Sequence, residues 1–152
     1  MMSPGQYLRL RRMAGDFVYL SDLVDALLRL PERRVPVRPA GWTYLQLVER
    51  LARAESNDLP LEELHLALLG RVIALDTKIY RALLALLDDP DASPPRICWV
   101  CGCSDHDACH TAGGTCAWAS ANLCTACQPL TITARVHLLD WPDAPLPEGD
   151  RP

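Results

Sequence analysis

All seven cysteines of this 152-residue chain lie between Cys98 and Cys127, in the stretch ICWVCGCSDHDACHTAGGTCAWASANLCTAC that begins at Ile97. Their spacing is C-x2-C-x-C-x5-C-x6-C-x7-C-x2-C, with one C-x2-C pair at each end, Cys98/Cys101 and Cys124/Cys127, and 22 residues between the pairs. A C-x2-C turn sets two thiolates on one side of a tight loop, and two such turns complete a tetrahedron about a metal ion. Gly102 directly follows the second cysteine, where a residue without Cβ lets backbone N–H groups approach the sulfurs, so the first pair reads as a zinc knuckle. An odd number of thiols cannot close a complete disulfide framework. The N-terminal MMSPGQYLRLRR has no apolar run between its charges and a cleavage site, so a soluble, cytoplasmic protein is expected.

Cys103, Cys109 and Cys116 remain, and with His110 or His106 they make a Cys3His set, so one or two Zn2+ ions are expected. Iron–sulfur ligation is the other reading, since thiolates suit both metals, but neither the C-x2-C-x2-C-x3-C-P run nor the plant-type spacing is present. A site closed by cysteines keeps no position for water, and the general-base candidates nearby are His106, Asp105 and Asp107. The metal is therefore expected to be structural, replacing a core too small to fold alone, with Trp99, Trp118 and Leu123 as apolar filling. His65 and His137 fall in helix and strand patterns and read as ordinary residues.

Leucine dominates the first ninety residues and points to helices, giving a mainly α chain. Ser3-Pro4 is an N-cap followed by proline at the first helical position, which predicts a helix from Pro4 to Ala14 with Gly15 as its stop. A second helix is expected from Phe17 or Ser21 to Leu30, ended by Pro31. Residues 31–42, PERRVPVRPAGW, read as an extended basic loop. Thr43 with Gln46 is a capping-box signature for a third helix, with Leu45, Val48, Leu51 and Ala52 as its buried stripe and Gln46, Glu49, Arg50 and Arg53 facing out. Asp58 and Pro60 open a fourth helix through about Leu75, and Asp76 caps a fifth. The chain thus divides into a five-helix domain over 1–87, an acidic, proline-rich linker over 88–95, a Cys-rich zinc module over 96–140 with minor β structure, and a tail over 141–152 read as disordered. The module ends in one strand in which Ile132, Ala134, Val136 and Leu138 alternate.

Charge is uneven. Residues 1–53 hold nine arginines against five acidic residues, while residues 54–152 hold six basic against fourteen acidic. A basic first third is compatible with a nucleic-acid-facing surface, although on charge alone the solvated faces of helices are the favoured reading. No Gly-rich phosphate loop, nucleophile elbow or HExxH motif is present, so an enzyme is not expected.

The cysteine stretch resembles the C-terminal segment of small phage and prophage-type Cys-rich proteins, through Cys98-x2-Cys101-Gly102-Cys103-Ser104, Ala108-Cys109, Cys116-x-Trp118 and Leu123-Cys124-x2-Cys127. The N-terminal part more weakly resembles the Cro/C1-type (XRE) helix-turn-helix family, in GQYLRLRRMAG from Gly5 and in the stretch with Glu55, Pro60 and Leu64, although the Pro31 to Trp42 loop replaces that family's short turn. The second resemblance implies a degenerate helix-turn-helix bundle on double-stranded DNA. Its third helix would present Gln46, Arg50 and Arg53 to a major groove while Arg9, Arg12 and Arg38 contact phosphates. Together these readings give a DNA-binding transcriptional regulator with a structural zinc module. The alternative is a protein–protein adaptor docking a host or phage factor through the module and the acidic C-terminal half.

Overall fold

The computed structural model describes residues 1–30, 43–111 and 114–128. The predicted basic loop with Arg38, the strand over 130–139 with His137, and the tail lie outside the described residues. Within them the chain is mainly α. Five helices, α1 (Pro4–Ala14), α2 (Leu20–Leu28), α3 (Tyr44–Glu55), α4 (Glu63–Leu69) and α5 (Thr77–Asp88), precede four short strands.

The caps form where the sequence signals them. The Ser3 hydroxyl accepts the Gln6 N–H at 3.1 Å while the Gln6 side chain accepts the Ser3 N–H at 2.8 Å. Thr43 and Gln46 repeat the arrangement at 3.3 and 3.0 Å. The Asp76 carboxylate accepts the N–H groups of Lys78 and Ile79 at the start of α5. Each such cap satisfies backbone donors that the first helical turn leaves without partners.

Two expectations need correction. The fourth helix is shorter than its pattern suggests, starting at Glu63 and ending at Leu69. Ahead of it, the Leu61 N–H donates to the Tyr80 hydroxyl at 3.0 Å, which ties this segment to α5. Beyond it, the N–H groups of Arg71 and Val72 fold back on the Leu68 and Leu69 carbonyls, and Ile73 is buried. The second correction concerns the phase of α3, which buries Leu47, Leu51 and Ala54 and leaves Leu45 75% exposed and Ala52 exposed. The cause is the seat of α3 on α1. Gly5 lies so close to the end of α3 that a Cβ there would stand 2.4 Å from the Glu55 carbonyl oxygen. Asn57, at φ 63°, accepts the Gly5 N–H at 2.8 Å and donates to the Ser3 hydroxyl. That crossing turns Ala54 inward and Leu45 outward.

Apolar side chains from all five helices, together with Leu61, Ile73 and Ile97, make one core. Fully burying a side chain of this size contributes about 1.5–3 kcal/mol. At its centre Tyr7 is fully enclosed, its hydroxyl accepting the Asp76 N–H at 3.0 Å and donating to the Asp76 carbonyl at 3.4 Å. Burial pushes the Tyr7 phenol far above its ordinary range, so it remains a neutral donor and acceptor.

After α5 the chain enters the cysteine-rich module. Ile97 is the first residue beyond the proline-rich segment to enter the helical core, and Cys98 beside it opens a second cluster. Two antiparallel hairpins complete the described module, β1 (His110–Thr111) with β2 (Gly114–Thr115), and β3 (Trp118–Ser120) with β4 (Leu123–Cys124).

Candidate metal centre

Three local structures bring the thiols together. In the first, the Cys98 N–H donates to the Cys103 carbonyl at 2.9 Å and the Gly102 N–H to the Cys98 carbonyl at 2.8 Å, closing a tight turn bounded by an Ile97–Ser104 bridge. Gly102 there has φ 74°, a left-handed conformation that glycine enters without steric cost. In the second, Cys109 and Cys116 flank the β1–β2 hairpin, with the Cys116 N–H donating to the Cys109 carbonyl at 2.9 Å and the Cys109 N–H to the Cys116 sulfur at 3.1 Å. In the third, the β3–β4 hairpin delivers Cys124, and the Cys127 N–H donates to the Cys124 carbonyl at 3.0 Å. The Cys124 N–H approaches the Cys98 sulfur at 3.5 Å, joining the third turn to the first.

Two quartets of sulfurs result, Cys98/Cys101/Cys124/Cys127 and Cys101/Cys103/Cys109/Cys124, each with all four sulfurs within 4.8 Å of one another. Either can hold a metal ion. The first is the quartet that the C-x2-C pairs predict. The inner trio is also drawn in, since Cys103 and Cys109 belong to the second quartet and Cys116 lies 3.8 Å from Cys103. His110 is not. It is exposed on β1 and belongs to neither quartet, and His106 is likewise exposed and outside both.

Electrostatics show what a cation would do in such a cluster. Hydrogen bonds from Cys101 and Cys127 hold the Cys98 thiol well below its ordinary range. The same contacts push Cys127 up, and burial pushes Cys103 up. In the protein alone one thiolate suppresses the ionisation of its neighbours. A divalent ion removes that penalty and displaces protons as it binds.

The apolar filling includes the expected Trp118 and Leu123, with Val100 and Ala126 in place of Trp99, and Trp118 is half-buried against the cysteines and held from outside. Its indole N–H donates to Asp105 at 2.6 Å, and the Arg96 guanidinium lies 4.3 Å over its ring while donating to the carbonyls of Ser120 and Ala121. Asp105 is therefore engaged in positioning Trp118.

One side chain the sequence reading did not single out ties the module to the helices. Arg11 is 5% exposed, and its guanidinium donates to the Ala74 carbonyl, to the Cys101 carbonyl at 3.2 Å and to the Asp107 carboxylate. Ser104 adds a hydrogen bond to Asp76 at 3.4 Å. The signal for Arg11 was helical phase: it stands four residues after Tyr7 and three after Leu8, on the buried stripe of α1.

The residues proposed for DNA contact are dispersed. Arg12 is buried, its guanidinium paired with both Glu55 carboxylate oxygens at 2.6 and 2.9 Å and donating to the Phe17 and Val18 carbonyls, so it presents no surface to a phosphate. Gln46 is held in the α3 cap and Arg50 pairs with Glu62. Arg53 is exposed on α3 and Arg9 on α1. No helix among the described residues is long and apolar enough to cross a membrane. No family model, curated protein or solved structure matches the chain.

Proposed function

We propose that this chain is a non-enzymatic binding protein, an adaptor for a protein partner, in which Zn2+ held by the cysteines keeps the module folded against the helical bundle. The buried Cys98/Cys101/Cys124/Cys127 quartet carries this reading. Four thiolates from two C-x2-C turns suit a tetrahedral, closed, structural zinc, and closure leaves no position at which the metal can activate water. A reducing compartment such as the cytoplasm keeps thiols available for such a site.

The adaptor reading is favoured over groove reading by what happens to the cations. With Arg12 inside the fold, Gln46 in a cap and Arg50 beside Glu62, α3 retains as exposed charges Arg53 and, four positions before it, Glu49 of opposite sign. Helices that dock on DNA need positive charge to replace the counterions of the phosphates. Near the module the exposed carboxylates Asp88, Asp89 and Asp91 instead suit a basic partner surface.

A second reading, a DNA-binding regulator of phage or prophage type, draws on the exposed Arg9 and Arg53 and on Arg33, Arg34 and Arg38 in the basic sequence between α2 and α3. Mobility shift of mixed-sequence duplex at low salt separates the two. The adaptor shows no retardation; retardation that weakens steeply with salt and is reduced in R53A restores the DNA-binding reading. Elemental analysis of anaerobically purified protein tests the metal, and iron with visible absorbance would overturn zinc.

A further inference from the structure

We infer that the seven cysteines form a single binuclear metal–thiolate cluster in which the Cys101 sulfur bridges the two ions. The inference rests on the zinc-holding reading above and adds to it the number of ions, the absence of histidine and the shared ligand.

Two tetrahedral ions need eight ligand positions, and seven sulfurs supply eight if one of them serves both. This accounts for the odd number of cysteines without recruiting His110 or His106, both of which lie outside the quartets.

Sulfurs bound to one tetrahedral zinc at about 2.3 Å stand about 3.8 Å apart. That spacing occurs between Cys101 and Cys124, and again between Cys103 and Cys116. Cys101 and Cys124 belong to both quartets, and of the two Cys101 takes the bridge, because its sulfur also lies 3.1 Å from that of Cys109. One ion is then held by Cys98, Cys101, Cys124 and Cys127. The other is held by Cys101, Cys103 and Cys109, with Cys116, 3.8 Å from Cys103, completing the four in place of Cys124.

Two divalent ions against seven thiolates leave three negative charges in a largely buried site, which is costly unless compensated. The surroundings supply part of the compensation. Backbone N–H groups point at the sulfurs of Cys98 and Cys116, and the almost fully buried Arg11 guanidinium, its charge shared with Asp107, donates to the carbonyl of Cys101. Donors of this kind, held behind the ligands, orient them and offset their charge.

The test uses the full chain purified without oxygen and reconstituted with 113Cd2+, a soft divalent ion suited to thiolate sites. Native mass spectrometry should count two cadmium ions per chain. One-dimensional 113Cd NMR should show two all-thiolate resonances split by coupling to each other, since such coupling travels through a shared sulfur. C101S should hold at most one ion and lose the splitting, while H110A should keep both ions and the splitting. Two ions without mutual coupling, or one ion per chain, would overturn the bridged cluster while leaving a metal-holding module intact. No bound cadmium or zinc would overturn both readings. The coupling in the wild-type protein decides by itself whether a sulfur is shared, and C124S beside C101S decides which one: the splitting should survive in C124S, and its loss there with survival in C101S would overturn Cys101 as the bridge.

Discussion

Arg11 joins three parts of the molecule through one guanidinium: the turn before α5 at Ala74, the knuckle at Cys101 and the loop at Asp107. Removing it strands a partly buried carboxylate and two carbonyls, so R11M is expected to destabilise the metal-loaded protein by about 2–4 kcal/mol, the upper end tempered by solvent access to Asp107. R11K keeps the charge but not the planar fork and should fall between wild type and R11M in urea unfolding. Equal stability of all three would show that the guanidinium does not couple the parts. Gly102 meets the same side chain from the other direction, because a Cβ there would lie 2.8 Å from Arg11 Cδ in a backbone already at positive φ. His65 makes a pH-dependent contribution of the opposite kind. Burial foremost, then the charge of Arg50, lowers its pKa below the ordinary 6.5, against a smaller raising effect from Glu62. Between the folded and unfolded pKa values the unfolded chain binds more protons, so stability is fully present above about pH 6.5 and declines as the pH falls through the folded value. Thermal melts of wild type and H65Q should therefore converge as the pH drops from about 7.5 to 5, thiolate protonation being common to both. A difference that stays constant over that range would refute the titration.

At the scale of elements, α3 is where sequence pattern and structure part. The capping box at Thr43 and Gln46 fixes where the helix begins, and the structure starts it there. Which side faces inward depends on Gly5 and Asn57, residues 38 and 14 positions away from Thr43 and invisible to a periodicity reading. Leu45 and Leu51 both looked buried on pattern, yet only Leu51 is. L51A should cost about 2–5 kcal/mol, whereas L45K should change stability by no more than about 0.5 kcal/mol. Chemical denaturation of the two variants checks the phase, and a large loss in L45K would reverse it. The same distinction governs the metal centre. The outer quartet was legible because a C-x2-C turn is a local geometry, and Gly102 marked its sharpest point. The shared role of Cys101 was not, because it arises from the β1–β2 hairpin closing on the knuckle, a long-range contact that spacing does not encode. Arg12 was misplaced for a related reason: an arginine on a helix reads as surface until its partner is known, and Glu55 lies 43 residues on.

The whole molecule is two cores joined at one edge. Apart from Ile97 and the partly packed Ala92, the helical core draws on residues before the acidic segment, while the module's own cluster is built from cysteines with Val100, Trp118, Leu123 and Ala126 around them. So few apolar groups do not offset the entropy of ordering some thirty residues, which costs on the order of 1–2 kcal/mol each for the backbone, and ligation of the proposed metal would supply the difference. Chelation is therefore expected to act unequally. Amide signals from residues 98–128 should collapse to unfolded positions while most of the far-ultraviolet helical signal persists, since α1 to α5 keep their own contacts. The helical bundle should nevertheless melt at a lower temperature, because Ile97 leaves its core and Arg11 and Asp76 lose Asp107, the Cys101 carbonyl and Ser104. R11M provides the control: with that link already cut, chelation should lower the melting temperature of the helices by less than in wild type, a non-additivity expected of groups in contact. If helical signal and module signal vanish together at one chelator concentration, the two cores form one cooperative unit and zinc holds the entire fold. Loss of the module with no change in helix melting would instead show that the Arg11 contacts transmit nothing.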